Sequence, residues 1–120
     1  MTKFTNNPIS IATLNNTNHV GRLSDYSKIL AKNGFLSIIY SNLHGTSHIV
    51  SPYGGITRKL PSNPICYSLP YSKNYKKIFV SDFATSSLAE GKLKISYHKN
   101  KKITGRHIID YLGNISNDPK

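Results

Sequence analysis

The chain has 120 residues, 38% of them hydrophobic and 10% aromatic, enough for one domain with one core and too few for two. Sixteen Lys and Arg against five Asp and Glu give a formal charge of +11, an excess that suits nucleic acid, an anionic surface or a phosphorylated ligand. No apolar run approaches the roughly 20 residues of a membrane span, the opening MTKFTNNPIS has no signal-peptide apolar region, and a single cysteine, Cys66, leaves no internal disulfide and fits a reducing cytoplasm.

Taken in chain order, ISIATL (Ile9–Leu14) reads as a strand and NNTNHVG as a polar turn after it. From Arg22 to Asn33, Leu23, Tyr26 and Leu30 recur at three and four residues with Ile29 beside them. That spacing predicts an apolar stripe on a helix, with Gly34 closing it. FLSIIYS (Phe35–Ser41) reads as a second strand, and strand, helix and strand together predict a βαβ unit with a parallel pair. Residues 42–63 have little periodicity but contain three glycines and two prolines; so long a loop in a compact domain is commonly functional. Ile65–Leu69 and Lys77–Val80 read as strands, Ala84–Gly91 as a short helix, and the tail DYLGNISNDPK as turns without a closing element. The expectation is a single α/β domain over residues 1–120.

Lysines gather at KNYKK (Lys73–Lys77) and KLKISYHKNKK (Lys92–Lys102), with Tyr75 and Tyr97 among them. Aromatics beside cations suit base stacking, but most of the charge is scattered, and a solvated lysine-rich face is preferred to a nucleic-acid site. Cys66, in PICYSLPY, is expected as a small buried hydrophobe.

The common phosphate cradles, GxGxxG after the first strand and GxxxxGK[ST], are missing. His44 and His48 stand four apart, but HGTSH is loop sequence with no carboxylate or cysteine nearby, so no metal site is expected. His19 stands where a strand passes into a helix, a common position for catalytic groups in α/β folds. The positive end of a helix disfavours a protonated imidazole beside it, the condition a general base needs; a loop histidine bonded to local backbone is the plainer alternative. Asp82, one of five acidic residues, follows the strand-like KKIFV. It either caps the helix predicted after it or holds a polar ligand at the mouth of a sheet.

Several blocks together make a resemblance. NHVGRLSDYSKILAKNGFLSIIYSN, VSPYGGITRKLPSNPICYSLP and VSDFATSSLAEGK occur in the order and approximate spacing of the malate/L-lactate dehydrogenase family. These are NAD(P)-dependent oxidoreductases distinct from the Rossmann-type lactate and malate dehydrogenases, and they include L-sulfolactate and ureidoglycolate dehydrogenases and a reductase of cyclic imino acids. The likeness runs from about Ile9 to Pro119. It implies a mixed sheet with flanking helices in a non-Rossmann arrangement, a cytoplasmic homodimer or larger homo-oligomer, NAD or NADP as cofactor, and a 2-hydroxy or 2-oxo acid such as malate or lactate as substrate. His19 then resembles the catalytic acid/base of an N-H-x-G motif. Asn42 falls in the polar segment that contacts the dinucleotide. Gly54, Gly55, Arg58, Leu60, Ser62, Asn63 and Pro64 resemble a GG…R.LGTNP block, and Val80, Ser81 and Asp82 lead a D-x-A-T-S segment with cofactor contacts, the Asp82 carboxylate accepting from ribose hydroxyls.

The sequence also departs from that pattern. Leu43 stands where a serine is common, and TGRHIID lacks the Trp that commonly precedes the aspartate, here Asp110. Family members are longer, with further substrate and coenzyme residues on both sides, so the chain resembles a central, coenzyme-binding portion. Two alternatives to a hydride-transferring enzyme follow: a non-catalytic remnant or split subunit that binds a dinucleotide or a partner chain, and a basic nucleic-acid-binding domain.

Overall fold

The computed structural model describes residues 8–43 and 48–120. Its elements are α1 (Leu23–Lys32), β1 (Ser37–Tyr40), β2 (Ile65–Pro70), β3 (Ile78–Phe83), α2 (Glu90–His98), β4 (Ile108–Ile109) and β5 (Ile115–Ser116). β1, β2 and β3 form one sheet in that order, and β4 with β5 forms a second. Every strand pairing among the described residues is antiparallel, which corrects the expected parallel pair and mixed sheet. The cause lies at Ile9–Leu14, which forms no strand. Ile9, Ile11 and Leu14 are 77%, 89% and 78% exposed, and β propensity without a surface to pack on does not make a strand. β1 pairs instead with β2, in the register Ser37↔Ser68 to Tyr40↔Ile65.

α1 forms where the apolar spacing puts it, yet it buries a different face. Leu23, Ser24, Ser27 and Ala31 are turned to the sheet, while Tyr26 and Ile29 are half exposed. The sheet side explains the choice, because β2 offers Cys66 and Ser68, both fully buried. Small residues on both sides let helix and sheet approach closely, and the hydroxyls find partners there. Ser68 Oγ donates to the Ser27 carbonyl at 2.9 Å, leaving Ser37 Oγ to donate to Ser68 Oγ at 2.8 Å. Ser27 Oγ lies 3.1 Å from Cys66 Sγ. Buried polar groups paired in this way avoid a desolvation penalty of a few kcal/mol each. Cys66 is the buried small residue expected of it.

The helix ends in a left-handed turn. Gly34 at φ +89 sits one past the Asn33 cap, and the Gly34 and Phe35 N–H groups donate to the carbonyls of Ala31 and Leu30, satisfying two orphan acceptors. A Cβ on Gly34 would also meet the Tyr75 ring at 3.1 Å. Tyr75 belongs to the β2–β3 turn, which Tyr71 N–H closes on the Lys77 carbonyl at 3.1 Å.

Two further expectations change. The helix predicted over Ala84–Gly91 appears later, at Glu90–His98. Thr85 gives both its N–H and its hydroxyl to the Ser62 carbonyl, each at 2.9 Å, which holds this segment against the long loop and out of helix. Glu90 then pairs with Lys94 one turn on. The tail closes in a β4–β5 hairpin around Asp110, whose carboxylate accepts the Leu112 and Asn114 N–H groups at 2.9 and 2.8 Å. The long loop is itself pinched by a Val50↔Leu60 bridge.

Candidate functional site

His19 lies in the irregular segment leading into α1 and is exposed. Its ring makes no hydrogen bond among the described residues. The chain turns there through Gly21 at φ +74, a backbone region costly for any residue with a Cβ. Arg22, the N-cap, has no side-chain cap bond to the helix. Its guanidinium bonds Asp25 instead, and that hydrogen bond, then the ion-pair attraction, holds the Asp25 carboxyl below its ordinary range.

The cap comes from elsewhere. Asp82 Oδ2 accepts the Ser24 N–H at 2.8 Å, so β3 supplies the carboxylate for the positive end of α1. Asp82 therefore caps neither α2 nor any helix after it. It caps the helix before it, and its second carboxylate oxygen makes no hydrogen bond among the described residues.

The registers bring several predicted residues to one end of the sheet. Tyr40 pairs with Ile65, and Ile65 with Phe83, so β1 and β3 finish on the same side. Asn42, exposed just past β1, and Asp82 share that end. The Asp82–Ser24 bond brings the start of α1 to it, with His19 a few residues upstream. Within β3, Val80 pairs with Ser68 and points to α1, while Ser81 pairs with Tyr67 and points away. β3 is an edge strand, and the backbone groups of an edge not used by its neighbour are open to a ligand. The Asn42 side chain, the second Asp82 oxygen and the strand edge leave hydrogen-bonding groups open at this end among the described residues.

A cavity of about 980 Å³ lies elsewhere, between the 49–58 loop, α2 and the β4–β5 hairpin, with Arg58, Tyr97, Arg106 and His107 in its wall. None of His19, Asn42, Val80, Ser81 or Asp82 lines it. Arg58 belongs to the GG…R block of the sequence, and no periodic signal marks Arg106. Asn63, in the same block, adopts φ +40 and buries its side-chain oxygen without a hydrogen-bond partner among the described residues. His48 Nδ1 donates to the Lys59 carbonyl at 2.8 Å, and His44 lies outside the described residues. Among the described residues no three His, Cys, Asp or Glu side chains gather as a metal site would require, and no helix is long and apolar enough to cross a membrane.

A family model described as malate/L-lactate dehydrogenase matches residues 1–120. The chain belongs to the malate/L-lactate dehydrogenase family. It is 33% identical over 117 residues to malate/(S)-sulfolactate dehydrogenase of Methanothermus fervidus, covering 98% of this chain and 33% of that protein. It is 32% identical over 108 residues to an L-lactate dehydrogenase of Cupriavidus necator, covering 90% of this chain and 31% of the other. Among solved structures, a dehydrogenase from Sinorhizobium meliloti superposes with a TM-score of 0.73 at 28% identity, over 85% of this chain and 28% of that one. The sulfolactate dehydrogenase of Methanocaldococcus jannaschii superposes with a TM-score of 0.65 at 31% identity, again over 85% of this chain and 28% of the other. The chain thus spans about a third of the length of the curated relatives it matches.

Proposed function

We propose that this chain carries the acid/base histidine and part of the dinucleotide surface of an NAD- or NADP-dependent 2-hydroxy-acid dehydrogenase. When bound, the nicotinamide supplies or accepts the hydride at C2 of a 2-hydroxy or 2-oxo acid such as malate, lactate or sulfolactate. His19 takes the hydroxyl proton in oxidation and returns it in reduction. Asn42 and the backbone of Val80 and Ser81 hold polar groups of the dinucleotide, and the free oxygen of Asp82 accepts from a ribose hydroxyl. The antiparallel pairing of every strand among the described residues supports a binding mode outside the Rossmann arrangement, whose strands are parallel. The observation that supports the proposal is the Asp82–Ser24 bond, which ties the start of α1, a few residues after His19, to the sheet end where Asn42 follows β1, in a chain that matches the family along its length.

One observation favours a second reading. Ile38, Tyr40, Tyr67, Leu69, Phe79 and Phe83 leave the sheet face opposite α1 largely exposed, and exposed apolar faces of this kind mark contact surfaces. In that reading the chain contributes its histidine and dinucleotide surface to an assembly and turns over nothing alone. Calorimetric titration with NADH and NADPH, beside absorbance assays with oxaloacetate, pyruvate and sulfopyruvate, separates the two. Turnover by the purified chain supports the first reading. Dinucleotide binding without turnover supports the second, and neither binding nor turnover overturns both.

A further inference from the structure

We propose that Tyr26 is the positioning residue for His19, an inference that rests on the acid/base reading of that histidine. His19 stands outside helix and strand, with no hydrogen bond to its ring among the described residues. A segment of that kind samples many orientations unless something fixes its backbone, and misplacement by about 1 Å can cost a hundredfold in rate.

The fixing contact comes from the first turns of α1. Tyr26 Oη donates to the Val20 carbonyl at 2.7 Å, on the peptide plane that follows His19 by one residue. Gly21, at φ +74, lets the chain fold back so that this carbonyl faces the helix. Tyr26 is not held on α1 for burial: its side chain is half exposed and lies off the packed face of Leu23, Ser24, Ser27 and Ala31. What it offers the fold is the hydroxyl. The helix that carries it is anchored in turn, by Asp82 on the Ser24 N–H and by Ser27 against Cys66 and Ser68. The line of support runs from β3 through α1 and Tyr26 to the peptide beside His19. It ties the backbone next to His19 to the start of α1, which Asp82 caps.

The test uses the full 120-residue chain, isotopically labelled, with Tyr26→Phe, which removes the hydroxyl and keeps the ring. The backbone order of His19, Val20 and Gly21 should fall in nitrogen relaxation measurements, and the imidazole nitrogen signals should move toward those of a freely averaging histidine. Loss of one solvent-accessible hydrogen bond should lower the population of the held turn roughly two- to tenfold. The Ser24 amide, bonded to Asp82, should keep its protection and so report that α1 remains capped. Incorporating 3-fluorotyrosine at position 26 alone strengthens the donor on the same frame and should move the same signals the other way; that arm remains informative even where Tyr26→Phe fails to fold. Unchanged His19 and Val20 signals in both variants overturn the proposal. Wherever turnover is measured, Tyr26→Phe should lower kcat and leave KM for the dinucleotide unchanged. Unchanged turnover in His19→Gln would sink the acid/base reading instead, while the order measurements would still decide what Tyr26 does.

Discussion

Asp82 and Ser24 stand 58 residues apart in sequence and are joined by a 2.8 Å hydrogen bond from the Ser24 N–H to Asp82 Oδ2. The N-cap of α1 is Arg22, which has no side-chain bond to the helix amides, so a strand residue does the capping that a Ser, Thr, Asp or Asn would ordinarily do from within the chain. Loss of a cap of this kind typically costs about 0.5–2 kcal/mol. Asp82→Ala should therefore lower the unfolding free energy within that range. Asp82→Asn should cost less, because an amide oxygen still accepts the bond and only the charge–dipole attraction is lost. Denaturant unfolding followed by circular dichroism measures both, and an Asp82→Ala chain as stable as the parent would contradict the cap.

The position of α1 was legible because Leu23 and Leu30 fall at helical spacing and Gly34 supplies a left-handed exit. The buried face was not. Tyr26 and Ile29 look like core residues by hydrophobicity, yet Ser27 and Ala31 take their place because Cys66 and Ser68, distant in sequence, leave room only for small side chains. β2 and β3 were legible as β-branched and aromatic runs, but their antiparallel pairing depends on the β2–β3 turn and on Ile9–Leu14 staying out of the sheet. At the candidate site, His19 and Asp82 are nominated by their chain positions and by motif blocks. Their connection through Ser24 and Tyr26 is a tertiary contact that no local pattern encodes.

The close approach of α1 to β2 predicts an intolerance to volume. Ala31 is fully buried, and Ala31→Leu would have to lift the helix off the sheet or force poor rotamers, at about 1–3 kcal/mol. The lift would also lengthen the Ser68–Ser27 and Ser24–Asp82 bonds. Hydrogen exchange at Ser24 should accordingly accelerate together with the loss of stability. Ala31→Leu at parental stability and exchange rate would mean that the interface is looser than its hydrogen bonds indicate.

Asp110 gives a pH-dependent prediction. Its carboxyl is held below its ordinary value of 3.8, first by the Asn114 backbone hydrogen bond, with further bonds from the Asn114 side chain and the backbones of Leu112 and Gly113. A folded-state pKa below the unfolded one contributes stability that is present above the unfolded value and lost as pH falls through the folded one. The β4–β5 turn should thus hold at pH 5 and above, and loosen in the acid range below about 4. Leu112 and Asn114 amide shifts followed through that range should move together. Asp110→Ala should show the loosened shifts already at neutral pH, and a turn unchanged by both acid and substitution would remove Asp110 as its organiser.

The open sheet face predicts association. Tyr67 and Phe83 rings lie 6.2 Å apart beside Ile38, Tyr40 and Phe79, all substantially exposed, and a face of this kind is expected to find a cover. The purified chain should sediment as a concentration-dependent mixture of monomer and homo-oligomer. Phe79→Lys with Phe83→Lys should shift it to monomer, with α1 and its Asp82 cap intact, since both side chains point away from that helix. Monomeric behaviour of the parent at high concentration would refute self-association through this face.

The last prediction concerns His19 itself. A general acid/base must come within about 2.6–3.2 Å of the substrate oxygen or reach it through one water, and the exposed position of His19 ahead of α1 provides that access. His19→Gln removes the imidazole and keeps a polar side chain at a site where the ring makes no hydrogen bond to the described residues, so folding should be unaffected. Dinucleotide affinity should also persist, because the proposed dinucleotide contacts are Asn42 and the end of β3. The chemical step should fall by about 10²–10⁴-fold, the usual contribution of a positioned proton-transfer group. The comparison belongs wherever turnover is observed, in the chain alone or in an assembly that contains it. A kcat loss in that range at unchanged dinucleotide Kd places the proton at His19. A loss of affinity with no loss of kcat would instead make His19 a binding residue, and the proton would have to pass through another group.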